Sequence, residues 1–218
     1  LSSVDLGRSV SLTEARSVCA FSDPHDCGAL PKAALVLAGI APSQPRENLT
    51  RWLERFGGGL DLTIFAALPK GSGLGTSSVL GAAILACLDR VLGRGVDVPS
   101  LIRRTSLLEQ MMSTAGGWQD QAGGITPGVK LLSTEAGPDQ VPRILGAGFD
   151  SSALQGRMLL YYTGQRRLAK NILQNVVSSY LAREPRTLAI IDRLREGAEG
   201  MHADLRRGDA EAFARGVL

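Results

Sequence analysis

The chain has 218 residues, with 24 Lys or Arg against 21 Asp or Glu and a formal net charge of +3. That length allows one large domain or two small ones, and 44% hydrophobic with 21% charged residues is ordinary globular material. No apolar run approaches the roughly 18 residues of a transmembrane helix, and no basic-then-apolar leader marks secretion, so no membrane partner is expected. Three cysteines, Cys19, Cys27 and Cys87, are too few and odd in number for a disulfide framework, which favours a reducing, cytoplasmic setting. The basic residues are mostly scattered Arg and aromatics make up only 5%, so no stripe of charge and stacking residues points to nucleic acid. The chain starts at Leu1 without a Met and stops at Leu218 after an amphipathic run; the expectation is a piece of something longer.

Residues 1–28 alternate irregularly and end in the loop signature Ser22-Asp23-Pro24-His25-Asp26-Cys27. Ala29 to Ile40 reads as a buried helix. Pro45 opens another, with Leu49, Trp52, Leu53 and Phe56 at i, i+3, i+4 and i+7, closed by Gly57-Gly58-Gly59. Leu60, Leu62, Ile64, Ala66 and Leu68 alternate as a strand that stops at Pro69. A glycine-rich loop follows, then a buried helix over Val79–Leu92 and another from Pro99 to about Met112. The Gly-rich passage 115–128 reads as a turn before a strand at Val129–Leu132. Met158–Tyr162 has the composition of a buried strand. It leads into a helix with Leu168, Ile172, Val176 and Tyr180 on one face, and two further helical stretches lie near 186–199 and 201–215. Strands mixed irregularly with helices imply an α+β chain or a two-layer α/β sandwich.

The strand–loop–helix at 60–92 is the most informative segment. In Lys70-Gly71-Ser72-Gly73-Leu74-Gly75-Thr76-Ser77-Ser78 the alternating glycines let backbone N–H groups approach a ligand. The positive end of the next helix faces the loop, a favourable place for phosphate. Thr76, Ser77 and Ser78 add hydroxyls that cap the helix or reach a phosphate-bound Mg²⁺. A Walker A loop needs Gly-Lys-Ser/Thr, which is absent, and a dinucleotide fingerprint needs a glycine where Thr76 stands.

Leu68-Pro69-x-Gly71-x-Gly73-Leu74-Gly75-Thr76-Ser77-Ser78 resembles the central motif of the GHMP kinases, Pro-x-x-x-Gly-Leu-Gly-Ser-Ser-Ala, departing from it only at the Thr and the final Ser. The resemblance implies the GHMP kinase fold, ATP held by residues Pro69 to Ser78, and Ser77 as a ligand of Mg²⁺.

Two carboxylates stand outside that motif. On a helical wheel Leu101, Thr105, Leu108 and Met112 cluster within about 40°, and Glu109 lies at the edge of that face, about 80° round. A carboxylate there is costly unless it meets a cation or donors; a pairing with Arg103 or Arg104 and a bound Mg²⁺ are the two readings. Asp120 sits in Gly116-Gly117-Trp118-Gln119-Asp120-Gln121-Ala122-Gly123-Gly124, as a turn or cap aspartate or as a group brought close to a ligand. The resemblance selects between them: GHMP kinases carry a helix Glu on Mg²⁺ and, a little downstream in a Gly-rich turn, an Asp that serves as catalytic base. Those roles fall on Glu109 and Asp120.

The 116–124 segment and Leu159-Leu160-Tyr161-Tyr162-Thr163-Gly164-Gln165-Arg166-Arg167-Leu168-Ala169 resemble the sugar-kinase branch that includes L-fucose and heptose-phosphate kinases, and most closely the kinase module of animal L-fucose kinases. This implies phosphorylation of L-fucose on its anomeric hydroxyl with ATP, feeding GDP-fucose salvage, and sugar contacts from Gly117, Trp118, Gln119 and Tyr162. It also implies an ATP-binding N-terminal part over 1–152 and a C-terminal part over 153–218. The family's N-terminal sugar-contacting motif has no match in Leu1–Cys27, and its late Gly-rich motif is missing too, so the expectation is a fold truncated at both ends. Two alternatives stay open: a heptose-phosphate kinase, which needs a cation cluster such as Lys130 with Arg166 and Arg167, and a GHMP-fold protein that binds without chemistry. His25 reads as a loop histidine, His202 as solvated, Cys87 as core, and the sequon at Asn48 as part of a helix.

Overall fold

Small side chains set the spacing of the core. The computed structural model describes residues 1–23, 26–68, 71–112, 117–137, 141–154, 156–164 and 169–217, and the chain divides into two compact units, Leu1–Ile125 and Thr126–Leu218. Within the first, helix α1 (Ala15–Cys19) precedes α2 (Ala29–Leu37), which begins behind Gly28. Pro31 lies in the first turn of α2, where a missing N–H removes no intrahelical bond. Ala33 and Ala34 are fully buried, so nothing holds neighbouring helices away from the α2 backbone. The Lys32 ammonium, also buried, reaches Asp26 at 2.6 Å.

Helix α3 (Leu49–Glu54) starts later than Pro45 because Asn48 takes the N-cap, its Oδ1 accepting from Arg51 N at 3.1 Å. The asparagine of the sequon is therefore a cap, outside the helix rather than in it. Helix α4 (Thr76–Val91) and helix α5 (Val98–Met111) form the centre of the unit. Asp97 caps α5 by accepting from Ser100 N at 2.9 Å. Asp89 pairs with Arg104 at 2.6 Å, Gly81 faces Thr105 and Leu108, and Ser78 meets Glu109, so the two helices run antiparallel. The helices pack tightly at Gly81, where a Cβ would stand 2.9 Å from Leu108 Cδ2. Leu85, Leu88 and Leu108 pack there with almost no exposure, joined by Val18 of α1 and Leu101 of α5.

The sheet of this unit is small. Strand β1 (Ser2–Ser3) pairs antiparallel with β2 (Arg8–Ser9) and parallel with β3 (Thr63–Ile64). Residues 1–28, which read as irregular, thus supply a short hairpin and a helix, whereas the strand expected over 60–68 contributes only two ladder residues. The Gly-rich passage is the larger correction: Gln119–Ile125 is a helix, α6, not a turn. Its glycines tolerate helical geometry at about 1 kcal/mol each. Gly124 lies against Val79 of α4, with a Cβ position only 2.6 Å from Val79 Cγ2.

In the second unit β4 (Lys130–Ser133) pairs antiparallel with β5 (Arg143–Gly146), a strand the sequence pattern does not announce. A short 3-10 turn at Ser151–Leu154 precedes helices α7 (Ala169–Leu181), α8 (Pro185–Arg206) and α9 (Ala210–Val217). The stretches read separately at 186–199 and 201–215 break at Gly208, whose φ is +76°, because Gly197 and Gly200 are absorbed within α8. Met158–Tyr162 is not a buried strand. It carries no ladder among the described residues, and Leu159 is 92% exposed. Cys87 is exposed rather than core, since it lies on the face of α4 away from Leu85 and Leu88. His202 is half-buried, with Nε2 3.4 Å from the Gly146 carbonyl oxygen. All three cysteines are free, no described helix is long and apolar enough to cross a membrane, and Pro24 and His25 lie outside the described residues. The chain is α+β, dominated by helices.

The Gly81 crossing leaves no room for a branched side chain, and overpacking of this kind costs about 1–3 kcal/mol. Gly81→Val is expected to lower the unfolding free energy by that amount, read from urea unfolding as a lower midpoint with the slope unchanged. A midpoint equal to the parent's would contradict the packing described.

Candidate active site

The loop before α4 is a run of left-handed turns. Gly71, Gly73 and Gly75 have φ of +78°, +80° and +63°, values that cost a residue with a Cβ roughly 1–2 kcal/mol. The Gly-x-Gly-x-Gly spacing is thus what this backbone requires. Gly75 is the N-cap of α4 and no side chain caps the helix, so its first N–H groups and dipole end are open to an anion.

The hydroxyls that sequence reasoning offered as caps are turned to other uses. Ser72 Oγ and Thr76 Oγ1 lie 3.4 Å apart. Ser78 is buried and its Oγ donates to Glu109 Oε1 at 2.5 Å, while the exposed Ser77 Oγ donates to the same oxygen at 3.4 Å. On the other side of the carboxylate Gln121 Nε2 donates to Glu109 Oε2 at 2.8 Å. Glu109 is therefore not the edge acid paired with Arg104; that arginine binds Asp89 instead. Glu109 is 8% exposed, and burial pushes its carboxyl above the usual carboxylate range. The Ser78 hydroxyl opposes this, the Asp120 charge adds to it, and Ser77 and Gln121 oppose it again.

Asp120 lies in the first turn of α6, exposed, with its side chain against Gly75. A Cβ on Gly75 would stand 3.3 Å from both Asp120 Cβ and Cγ. The absent side chain of Gly75 is what lets the Asp120 carboxylate sit over the start of α4. Glycine loop, Ser77, Glu109 and Asp120 thus meet in one unit, although they are spread over 71–120 in the chain.

Gly117 and Gln119 are exposed and Trp118 half-buried, immediately before Asp120; the Trp118 carbonyl accepts from Ala122 N at 3.0 Å. Tyr162 belongs to the second unit, half exposed. Pro69, Lys70, Gly116, Gln165, Arg166 and Arg167 lie outside the described residues. Lys130, offered for a phosphate cluster, points its ammonium at the carbonyls of Thr126, at 2.5 Å, and Gly128, at 3.1 Å. Sequence reasoning missed the roles of Ser78 and Gln121. Ser78 departs from the family's Ala, and a polar residue in place of an apolar one was the available signal.

The donor set is carboxylate and hydroxyl oxygen, the chemistry of a hard cation such as Mg²⁺. Among the described residues no group of three or more His, Cys, Asp and Glu gathers to hold a metal. Two carboxylates and a hydroxyl suit the mode in which substrate phosphates complete the coordination.

Comparison with known proteins shows what the chain is similar to. Residues 46–128 match the family described as GHMP kinases N terminal domain. The chain is 41% identical over 192 residues to the L-fucokinase/L-fucose-1-P guanylyltransferase of Bacteroides fragilis, an alignment covering 85% of this chain and 20% of that protein. It is 36% identical over 198 residues to the bifunctional fucokinase/GDP-fucose pyrophosphorylase of Arabidopsis thaliana, covering 89% of this chain and 18% of that protein. The chain thus spans about a fifth of the length of the curated relatives it matches. No solved structure matches.

The left-handed conformation of Gly75 predicts that Gly75→Ala loses about 1–2 kcal/mol of stability, read from urea unfolding. Gly93→Ala is the control, because Gly93 has φ of +68° with open space around its Cβ position. The Gly75 variant should lose at least as much as the control, and no loss at Gly75 would refute the loop geometry.

Proposed function

Because residues 46–128 match the family described as GHMP kinases N terminal domain, we propose that the protein carrying this chain is an ATP-dependent sugar kinase. The acceptor is the anomeric hydroxyl of L-fucose, and the products are L-fucose 1-phosphate and ADP. The observation that carries the reading is the meeting of Asp120, Ser77 and Glu109 at the uncapped N-terminus of α4. Both similar proteins bear a fucokinase name, one joined to L-fucose-1-P guanylyltransferase and the other to GDP-fucose pyrophosphorylase, and these names support a role in GDP-fucose salvage. The two-layer α/β sandwich, the division into an ATP-binding part over 1–152 and a C-terminal part over 153–218, and a cytoplasmic location belong to the same proposal.

Phosphoryl transfer asks a protein for positioning and for stabilisation of charge. The backbone N–H groups of Gly71–Ser78 and the dipole of α4 hold the phosphates of ATP. Ser77 and Glu109 would hold Mg²⁺, and that ion, when bound, offsets phosphate charge. The oxygen donors and the like charge of Asp120 acting on Glu109 fit a divalent cation. Asp120 accepts the proton of the sugar hydroxyl and aims its oxygen at the phosphorus. Gly117, Trp118 and Gln119 contact the sugar. A heptose-phosphate acceptor is disfavoured on one point, since the Lys130 ammonium is already turned to two backbone carbonyls.

Asp120→Asn in the full-length protein is expected to bind nucleotide like the parent by calorimetry and to lose about 10²–10⁴-fold in turnover, measured as ADP released with L-fucose. Turnover at the parent rate would remove Asp120 from the role of base. Parent protein that phosphorylates heptose 7-phosphate in preference to L-fucose would overturn the substrate.

A further inference from the structure

Gln121 stands beside the proposed base and is more deeply buried than any other member of the site apart from Ser78, each being 1% exposed. Its amide has only one partner among the described residues: Nε2 donates to Glu109 Oε2 at 2.8 Å, whereas Oε1 is buried and accepts from nothing. The orientation follows from the role proposed for Glu109, because a carboxylate that holds a cation is ionised, only accepts and so demands the NH₂ edge of the amide. Turning the amide over would set two acceptors against each other.

A buried amide with an orphaned carbonyl is a poor choice for packing. An apolar side chain of the same length would fill the space without a polar atom to satisfy. What the glutamine supplies and an apolar residue cannot is the donor to Glu109 Oε2. Ser77 and Ser78 both address Oε1, so neither replaces it. The two sides together hold the plane of the Glu109 carboxylate between α4 and α6.

We propose that Gln121 is a positioning residue for the metal site: its donor fixes the Glu109 carboxylate and ties helix α6, which carries Asp120, to the carboxylate that holds the cation. The inference rests on the proposed role of Glu109 and goes beyond it by assigning the outer shell of that ligand. Partners that orient a metal ligand typically change metal affinity by about 10–100-fold when removed.

The test uses full-length protein with Mn²⁺ as a paramagnetic probe, its binding to the ADP complex followed by electron paramagnetic resonance. Gln121→Met is expected to weaken Mn²⁺ binding by about 10–100-fold. Its affinity for ADP without metal should match the parent's, and its metal-free thermal midpoint should lie within about 4 °C. Gln121→Asn, which keeps the amide but withdraws it by one methylene, should show the same direction of loss and covers the case in which the Met variant fails to fold. Mn²⁺ affinity equal to the parent's in either folded variant, or an equal loss in metal-free ADP binding, overturns the proposal. Glu109→Gln separates the two levels. If it leaves Mn²⁺ binding intact, the metal role of Glu109 itself fails; if it abolishes binding while the Gln121 variants bind normally, only the role of Gln121 fails.

Discussion

One buried carboxylate organises the N-terminal unit. Glu109 sits on α5 with little exposure, and a charge in that position is costly unless donors meet it, as they do here from two other helices. Ser78 and Ser77 come from the first turn of α4, and Gln121 from the first turn of α6. Three elements are thereby held in one arrangement by a group that burial alone would push towards protonation. The arrangement leaves Ser77 exposed and Asp120 exposed on the same rim, the positions at which a ligand would meet them.

Backbone freedom at a few glycines makes the approach possible. Gly81 lets α4 and α5 cross so closely that Ser78, nearly one turn earlier, falls opposite Glu109. Gly75 turns the chain left-handed into α4 and leaves space for the Asp120 side chain. At the far end of the crossing the buried Asp89–Arg104 pair fixes the register of the same two helices. That pair leaves Asp89 Oδ1 and Arg104 Nη2 without partners, so it serves the alignment of α4 with α5 better than it serves stability.

In the proposed reaction each of these features has a use. A phosphoryl group in transit needs its charge met by prepositioned dipoles and cations rather than by a covalent partner. An uncapped helix end, a loop of left-handed glycines and a carboxylate already oriented by its neighbours meet that need with little reorganisation. The cost is local: a raised carboxyl at Glu109, an orphaned carbonyl on Gln121, and left-handed backbone at Gly71, Gly73 and Gly75.

Much of this was legible in the residues. The loop glycines declared themselves by type and spacing, Ser77, Glu109 and Asp120 through the resemblance to the GHMP kinases, and the helices α2, α4 and α5 by their apolar faces. Other features were not. A helix over 119–125 hides in a sequence whose glycines read as a turn, because packing against Val79 outweighs their low propensity. The apolar run Met158–Tyr162 has the composition of a buried strand yet lies exposed, since burial requires a partner and composition names none. Arg104 is near Glu109 in the chain and was one candidate for its counter-ion, but the packing of α5 on α4 gives it to Asp89 instead. The sequence by itself determined the candidates: the glycine loop by its spacing, because a phosphate loop demands glycines close together, and Glu109 and Asp120 through the resemblance to the GHMP kinases. Only the tertiary structure decided which of them meet. Contacts such as those of Gln121 and Ser78 with Glu109 join residues 12 and 31 positions apart, a separation over which local pattern carries no information.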